Sequence, residues 1–255
     1  MKLGRRRPIA RGPRLSLKNY LMKALPAPPA SCGYAAKAAG PLSQVYLNDK
    51  LGDCVIAGMA HVEGVLTAGA GSPYVFSEAE ITALYGAIGG YVPGDPSTDQ
   101  GCDEITALNY WQHKGAPAGL HKITGYLAVD AGNPTEWRTA LWLFENLFFG
   151  LELPDAWIDP EPAASGFTWD VAGDPNPNNG HCVVGVGYNE ANVAIATWGM
   201  LGVMTDAALA KYAGSASNGE LFTILSEDAI NKATAKAPNG FAFAQLQADF
   251  KAIGR

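Results

Sequence analysis

A cysteine at the start of a helix is the side chain in this sequence best placed for nucleophilic chemistry. Cys54 follows the turn Leu51-Gly52-Asp53 and begins an amphipathic segment that predicts a helix to about residue 67. The N-terminus of a helix favours the thiolate, which is the nucleophilic form of cysteine. Asp53 is placed to cap this helix, although its negative charge would oppose thiolate formation. The position of Cys54 therefore indicates a candidate nucleophile.

The partner that such a thiol requires is a base, and His181 is the candidate. It precedes an apolar segment, residues 182–188, that predicts a buried strand, and it follows a long polar segment. An imidazole beside a thiol takes its proton and stabilises the thiolate. A single histidine at the end of a strand is also a common structural residue. The order of the surrounding segments has to decide between these two roles.

Other kinds of site have little support in the residue pattern. The four cysteines contain no Cys-x-x-Cys pair, and the four histidines lack a paired carboxylate motif. We therefore expect no metal ion and no other cofactor. Gly185-Val186-Gly187 lies inside a predicted strand that no helix follows, so it is not a phosphate-binding loop. We expect the thiols to stay reduced, because the chain has no recognisable export signal.

The elements that must position Cys54 and His181 fall into two groups. Predicted helices cover residues 54–67, 77–88, 103–112 and 134–146, and predicted strands cover 122–129, 148–153, 182–188, 193–198 and 221–225. Helices followed by strands predict an α+β protein in which a helical lobe packs on an antiparallel sheet. Residues 159–180 contain four prolines and predict a long surface loop. Segments 205–212, 226–236 and 242–253 predict further helices.

Several segments occur in an order that resembles the papain-like cysteine peptidases over roughly residues 28–200. The run Asn48-Asp49-Lys50-Leu51-Gly52-Asp53-Cys54 is similar to the mature start of that family, which ends at the nucleophile. Gly180-His181, after the helix of 134–146 and the strand of 148–153, resembles the segment with the catalytic histidine. Val186-Gly187-Tyr188, a short hairpin and Thr197-Trp198-Gly199 are similar to its closing strands.

The resemblance implies a papain-like fold and a cysteine hydrolase that uses no cofactor. It implies that Cys54 attacks the substrate, that His181 transfers the proton, and that Asn48 binds the oxyanion together with the Cys54 amide. Asn48 stands where the family has a glutamine, which is one methylene longer. Trp198 would screen the imidazole from water.

One position departs from the family pattern. In the family, an asparagine two residues before the tryptophan orients the histidine, and Ala196 occupies that position here. Strand alternation places Ala196 and Trp198 on one face and Thr197 on the other. Thr197 would therefore replace the asparagine only if the strand is bulged or rotated. The departure leaves open whether the site is active.

Charge divides the chain into a basic arm and an acidic body. Residues 1–23 carry eight Lys and Arg and no Asp or Glu, whereas the remaining 10 Lys and Arg face 24 Asp and Glu. We expect a basic arm with a proline-rich connector (1–27), a two-lobed papain-like domain (28–225) and a C-terminal helical extension (226–255). We expect no inhibitory propeptide of the family's usual kind, since only about 25 residues precede the body.

Two functions are consistent with these observations. The first is a papain-like cysteine hydrolase that cleaves a peptide or amide bond in a peptide or protein substrate. The alternative is a non-catalytic structural protein of a larger assembly, such as a bacteriophage particle, whose residues 1–23 bind an acidic protein or nucleic acid. The sequence contains no apolar run of about 18 residues, which predicts no membrane span and a location in the cytoplasm or in a virion.

Overall fold

The structure, a computed structural model, describes residues 1–8 and 14–252. Arg11 of the basic arm and the predicted end of the last helix at Ile253 lie outside these residues. Within them, no helix combines the length and the apolar character needed to cross a membrane.

Three helices begin at side-chain caps that the sequence predicts. Ser77 and Glu80 form a capping box, the Asp103 side chain accepts from the Thr106 amide, and the Asn133 side chain accepts from the Glu136 amide. In the described residues the helices are α1 (Ala39–Leu42), α2 (Cys54–Gly69), α3 (Glu78–Gly89), α4 (Glu104–Lys114), α5 (Pro134–Phe144), α6 (Asp206–Tyr212), α7 (Glu227–Lys236) and α8 (Phe243–Ala252).

The strands of the described residues form one sheet. They are β1 (Cys32–Gly33), β2 (Gly125–Ala128), β3 (Leu147–Glu152), β4 (Phe167–Trp169), β5 (Gly180–Tyr188), β6 (Asn192–Thr197), β7 (Met200–Thr205) and β8 (Glu220–Leu225). Their order is β2-β8-β3-β5-β6-β7-β4, and β1 pairs with β5. All pairs are antiparallel except β4 with β7. This arrangement confirms the predicted α+β class.

The prediction of one irregular loop over residues 159–180 was wrong in its middle. Phe167–Trp169 forms β4, which pairs in parallel with β7. The ring of Trp169 stacks on that of Trp157, with centroids 4.7 Å apart and an interplanar angle of 2°. Burial of these two large rings fixes a segment that has too few alternating residues to predict a strand.

Two apolar clusters lie on opposite faces of the sheet, because residues along β5 alternate in direction. Cys182 and Val184 face the cluster that contains α2, and Val183 faces the cluster that contains α5. Gly58 allows α2 to approach β5 closely, because a Cβ there would lie only 2.9 Å from Cys182 Sγ. The start of α2 therefore lies beside the start of β5.

The C-terminal helices α7 and α8 pack on the core beside residues 17–20 of the arm. Ala233 of α7 and Leu246 and Phe250 of α8 are buried in the same cluster as Leu17 and Tyr20. Burial of these side chains holds residues 17–20 against the body.

Candidate functional site

Cys54 is the first residue of α2, and only 1% of its surface is exposed. Its thiol faces the backbone N–H groups of Cys182 and Gly4. Burial raises the pKa of Cys54 to about 12, although these two N–H groups act in the opposite direction. The packing of α2 on β5 thus brings the thiol to the residue next to His181, and it holds the thiol in its neutral form.

His181 is fully buried, and two side chains hold its ring. Nε2 is hydrogen-bonded to Thr197 Oγ1 at 2.6 Å, and the ring stacks on Trp198 with centroids 4.4 Å apart. Nδ1 has no hydrogen-bond partner in the part of the chain that the structure describes. Burial lowers the pKa of His181 to about 3. The imidazole is therefore neutral, with one nitrogen held and the other without a partner.

Both Thr197 and Trp198 contact His181 because β6 ends between them. Thr197 pairs with Met200 of β7, and the turn between these strands consists of Trp198 and Gly199, with φ of +52° and +72°. Strand alternation does not apply to a residue in such a turn. Thr197 faces the imidazole from the strand, Trp198 reaches it from the turn, and Ala196 lies in the cluster on the other face.

Asn48 is buried in the turn that leads to α2. Its Nδ2 donates to Leu51 O at 3.0 Å and to Lys2 O at 3.3 Å. One of the two acceptors is thus a carbonyl oxygen of the N-terminal arm. The Asn48 side-chain amide, which the sequence predicted to donate to the oxyanion, thus donates to a peptide oxygen of this chain.

Asp53 is fully buried, and neither carboxylate oxygen accepts a hydrogen bond that meets the usual distance and angle limits within the described residues. It stands at the N-cap of α2 without capping it through its side chain. Burial raises the pKa of Asp53 from 3.8 to about 8. Asp53 is therefore largely protonated at neutral pH, and its charge opposes a Cys54 thiolate much less than the sequence suggested.

Asp53→Asn should raise the free energy of unfolding at alkaline pH and change it little at pH 4. Because the folded pKa of Asp53 exceeds the unfolded value, folding takes up a proton between pH 4 and pH 8, and stability falls as the pH rises through this window. We expect a gain on the order of 2 kcal/mol at pH 8, measured by urea unfolding across this range. Asp174→Asn is the control, since that side chain is 99% exposed. Equal pH dependence in the two variants would contradict the assignment.

The N-terminal arm crosses the site above Cys54. Lys2 N donates to Asn48 O at 2.9 Å, and Gly4 N donates to Gly180 O at 3.2 Å as well as facing the thiol. Further along, Cys102 N donates to Gly4 O at 3.1 Å, and Arg6 N donates to Cys102 O at 2.9 Å. Arg5 of the arm and Cys102 thus form a parallel bridge. The arm closes the thiol off from solvent.

The arm is held by ion pairs with the acidic body. Arg5 pairs with Glu104 and Glu220, Arg7 pairs with Glu152, and Arg14 pairs with Glu220. Sequence reasoning did not single out these three glutamates, although the charge contrast between arm and body is a signal that the two attract each other. Within the described residues, no group of three or more His, Cys, Asp or Glu is arranged to hold a metal ion.

Comparisons with known proteins identify the fold. No protein-family model and no curated protein matches the sequence. Among solved structures, xylellain, a cysteine protease from Xylella fastidiosa, is similar at a TM-score of 0.63 and 17% identity, covering 88% of this chain and 96% of that one. Procathepsin L 3 of Tenebrio molitor has a TM-score of 0.56 at 14% identity, covering 83% and 76%. The bromelain protease of Ananas comosus has a TM-score of 0.52 at 14% identity, covering 78% and 100%.

These similarities define the class of the fold. The chain has the papain-like cysteine protease fold, as the sequence resemblance implied. At 14–17% identity to these structures, Cys54, His181 and Asn48 remain candidates for the residues that act in it.

Proposed function

We propose that this protein is a cysteine hydrolase that cleaves a peptide or amide bond with Cys54 and His181. The observation that supports it most is the environment of His181. Thr197 holds Nε2 of the imidazole, Trp198 covers one face of the ring, and Nδ1 has no hydrogen-bond partner within the described residues. The backbone amide of the next residue, Cys182, faces the Cys54 thiol. Thiol catalysis requires an oriented base that can reach a thiol at a helix N-terminus. Here the base is oriented and belongs to the residue before Cys182, whose amide the thiol faces.

In the proposed reaction, His181 accepts the thiol proton at Nδ1, and the Cys54 sulfur forms a bond to the substrate carbonyl carbon. The carbonyl oxygen becomes an oxyanion that the Cys54 amide and Asn48 Nδ2 stabilise by hydrogen bonds. The C–N bond then breaks, and the imidazolium gives its proton to the leaving amine. Water, deprotonated by His181, attacks the thioester and releases the acid and the free thiol. Thr197 is a positioning residue in this scheme, because it acts through His181.

The arm makes the described state a resting state in this proposal. Lys2 O occupies the Asn48 amide and Gly4 covers the thiol, so that a substrate carbonyl has no access. Burial under the arm also keeps the thiol and the imidazole neutral, because the pKa of Cys54 is raised and that of His181 is lowered. Hydrolysis therefore requires the arm to leave the groove over Cys54, which is the substrate cleft in this proposal. A structural protein whose arm binds an acidic partner has less support, since Arg5, Arg7 and Arg14 already bind glutamates of this chain.

The pH dependence of Cys54 alkylation in the Arg5→Ala protein, whose arm has lost its buried anchor, tests the proposal. An ion pair of thiolate and imidazolium reacts with iodoacetamide well below the pKa of an isolated thiol. We expect the labelling rate of Cys54, mapped by peptide mass spectrometry, to reach a plateau between about pH 5 and pH 8.

His181→Ala in the same background should remove that plateau and leave a rate that rises steadily with pH. Cys32 pairs with Tyr188 at the opposite end of β5 from His181, and burial raises its pKa, so it serves as an internal reference for a thiol without an imidazole beside it. Equal pH profiles for Cys54 and Cys32, or a plateau that survives the loss of His181, would contradict the proposed pair.

A further inference from the structure

The side chain of Arg5 fills a buried pocket at the edge of the cleft. The Arg5 side chain is 0% exposed, and so is that of Glu104. Arg5 Nε lies 2.8 Å from Glu104 Oε1 and 3.1 Å from Oε2, and its Nη2 lies 3.5 Å from Glu220 Oε2. Two carboxylates from separate elements, α4 and β8, thus converge on one guanidinium.

Backbone contacts present this side chain independently of its identity. Cys102 bonds to the backbone on both sides of Arg5, through Gly4 O and Arg6 N, and Gly180 O accepts from Arg5 N at 3.1 Å. Any extended peptide in the cleft can make such main-chain bonds, whereas the pocket discriminates between side chains. Selection in this cleft therefore depends on what Glu104 and Glu220 accept.

The geometry favours a guanidinium over an ammonium group. The Nε atom donates to both oxygens of Glu104, so the donor that the pocket uses lies within the side chain and not at its end. Nη1 and Nη2 have no hydrogen-bond partner within the described residues, and Nη2 contributes an ion pair with Glu220, which Arg14 also contacts. Lysine has a single nitrogen at its end and an apolar methylene where Nε lies. The pocket also depends on Gly150, since a Cβ there would lie 1.7 Å from Glu104 Oε1 and 2.3 Å from Arg5 Nε.

Stability alone does not account for these carboxylates. Buried ion pairs are often no better for stability than apolar side chains of the same volume, and an unpaired buried carboxylate is costly. Burial raises the pKa of Glu104, the charge of Arg5 lowers it, and the nearby Glu220 raises it further, so the two carboxylates are unfavourable together unless a cation lies beside them. Two carboxylates kept at this position indicate that the cleft is built to receive a cation.

We propose that Glu104 and Glu220 form an arginine-selective pocket of the substrate cleft, and that Arg5 is its built-in occupant. Once the arm leaves, the pocket takes an arginine side chain of a peptide that binds in the cleft. The assignment of this peptide as a substrate rests on the proposed hydrolase function. The guanidinium pocket itself does not.

Calorimetry on the full-length Arg5→Ala protein tests the pocket without any need for catalysis. The probes are N-acetyl-arginine amide, its neutral isostere N-acetyl-citrulline amide, and N-acetyl-lysine amide. We expect the arginine amide to bind at least tenfold more tightly than either of the others. The unmodified chain should bind none of them, because Arg5 fills the pocket. Adding Glu104→Gln should abolish the difference between arginine and citrulline.

Equal affinity for the three amides, or no binding, would overturn the pocket. Arg5→Gln is the second variant in case Arg5→Ala does not fold, since glutamine keeps a donor to Glu104 without the cation.

The substrate assignment is tested by kcat/KM for quenched peptides that differ only at one position, which holds Arg, citrulline or Leu. A lack of arginine preference there would overturn it. If Cys54 and His181 react as a pair but the protein does not bind the arginine amide, only the pocket proposal fails. If the protein binds the arginine amide but Cys54 is unreactive, only the hydrolase proposal fails.

Discussion

Arg5→Ala should raise the rate at which iodoacetamide labels Cys54 at pH 7.5 by about a hundredfold. The substitution leaves Glu104 buried without its partner, which costs about 3 to 5 kcal/mol in comparable buried pairs. That penalty falls on the state with the arm docked, because water reaches Glu104 when the arm leaves. Each 1.4 kcal/mol changes the population of the state without the docked arm tenfold, so a penalty of about 3 kcal/mol raises the labelling rate about a hundredfold. The measurement is mass-spectrometric labelling over time.

Arg7→Ala is the matched control for this experiment. Arg7 lies on the same arm and pairs with Glu152 at 2.7 Å, but its side chain is 56% exposed. Glu152 is buried but keeps a hydrogen bond from Asn218 Nδ2, so the loss of Arg7 does not leave it without a partner. An ion pair with an exposed arginine contributes about 0 to 1 kcal/mol, so labelling should rise by no more than a few-fold. Gly4→Val offers a second route to release, because a Cβ at Gly4 would lie 1.8 Å from Gly52 O. If neither Arg5→Ala nor Gly4→Val labels faster than Arg7→Ala, the arm is not the barrier.

The second large effect is expected in hydrolysis. In the Arg5→Ala protein, His181→Ala should lower kcat/KM by about a thousandfold, because the general base and acid is lost. Thr197→Val should lower kcat by about tenfold and shift the pH profile, since Nε2 loses its partner while the ring stays against Trp198. The measurement is the release of fluorescence from a quenched peptide library.

Comparing kcat for two variants at position 197 distinguishes a role of Thr197 in orienting the imidazole from a role in packing alone. Thr197→Ser keeps the hydroxyl and should restore most of kcat, whereas valine keeps the shape without the hydrogen bond. Cys32→Ser should leave hydrolysis within twofold of the parent, because Cys32 contacts Tyr34 and Tyr188 rather than the site. Activity that is indifferent to His181→Ala would place the chemistry elsewhere in the chain.

The elements around the site were predictable where their signals are local. Ser77, Asp103 and Asn133 cap helices through contacts with residues three positions ahead, and such contacts are visible in any window of the sequence. The prediction that α5 extends to residue 146 was wrong by two residues, because Glu145 adopts a left-handed φ of +69° and ends the helix. The strand β7 was not predicted, since Met200–Thr205 lacks clear alternation.

The contact between Thr197 and His181 needed the tertiary structure. Alternation along β6 was applied correctly up to Thr197, but Trp198 leaves the strand in a turn with positive φ. Turns with two residues of positive φ usually contain glycine or asparagine, and a tryptophan in the first position gives no such signal. From the sequence, Thr197 could replace the missing asparagine only through a bulge or a rotated strand, whereas in the structure it contacts the imidazole because Trp198 leaves the strand in the turn.

Residue types and local spacing determined the fold class, the helix starts, the candidates Cys54 and His181, and the opposite charges of arm and body. Tertiary structure decided that the arm lies over Cys54 and that Arg5 enters a pocket between Glu104 and Glu220. The pair of Arg5 and Glu104 spans 99 positions of sequence, and that of Arg14 and Glu220 spans 206. Charge composition shows that such groups attract, but only the path of the folded chain determines which cation meets which carboxylate.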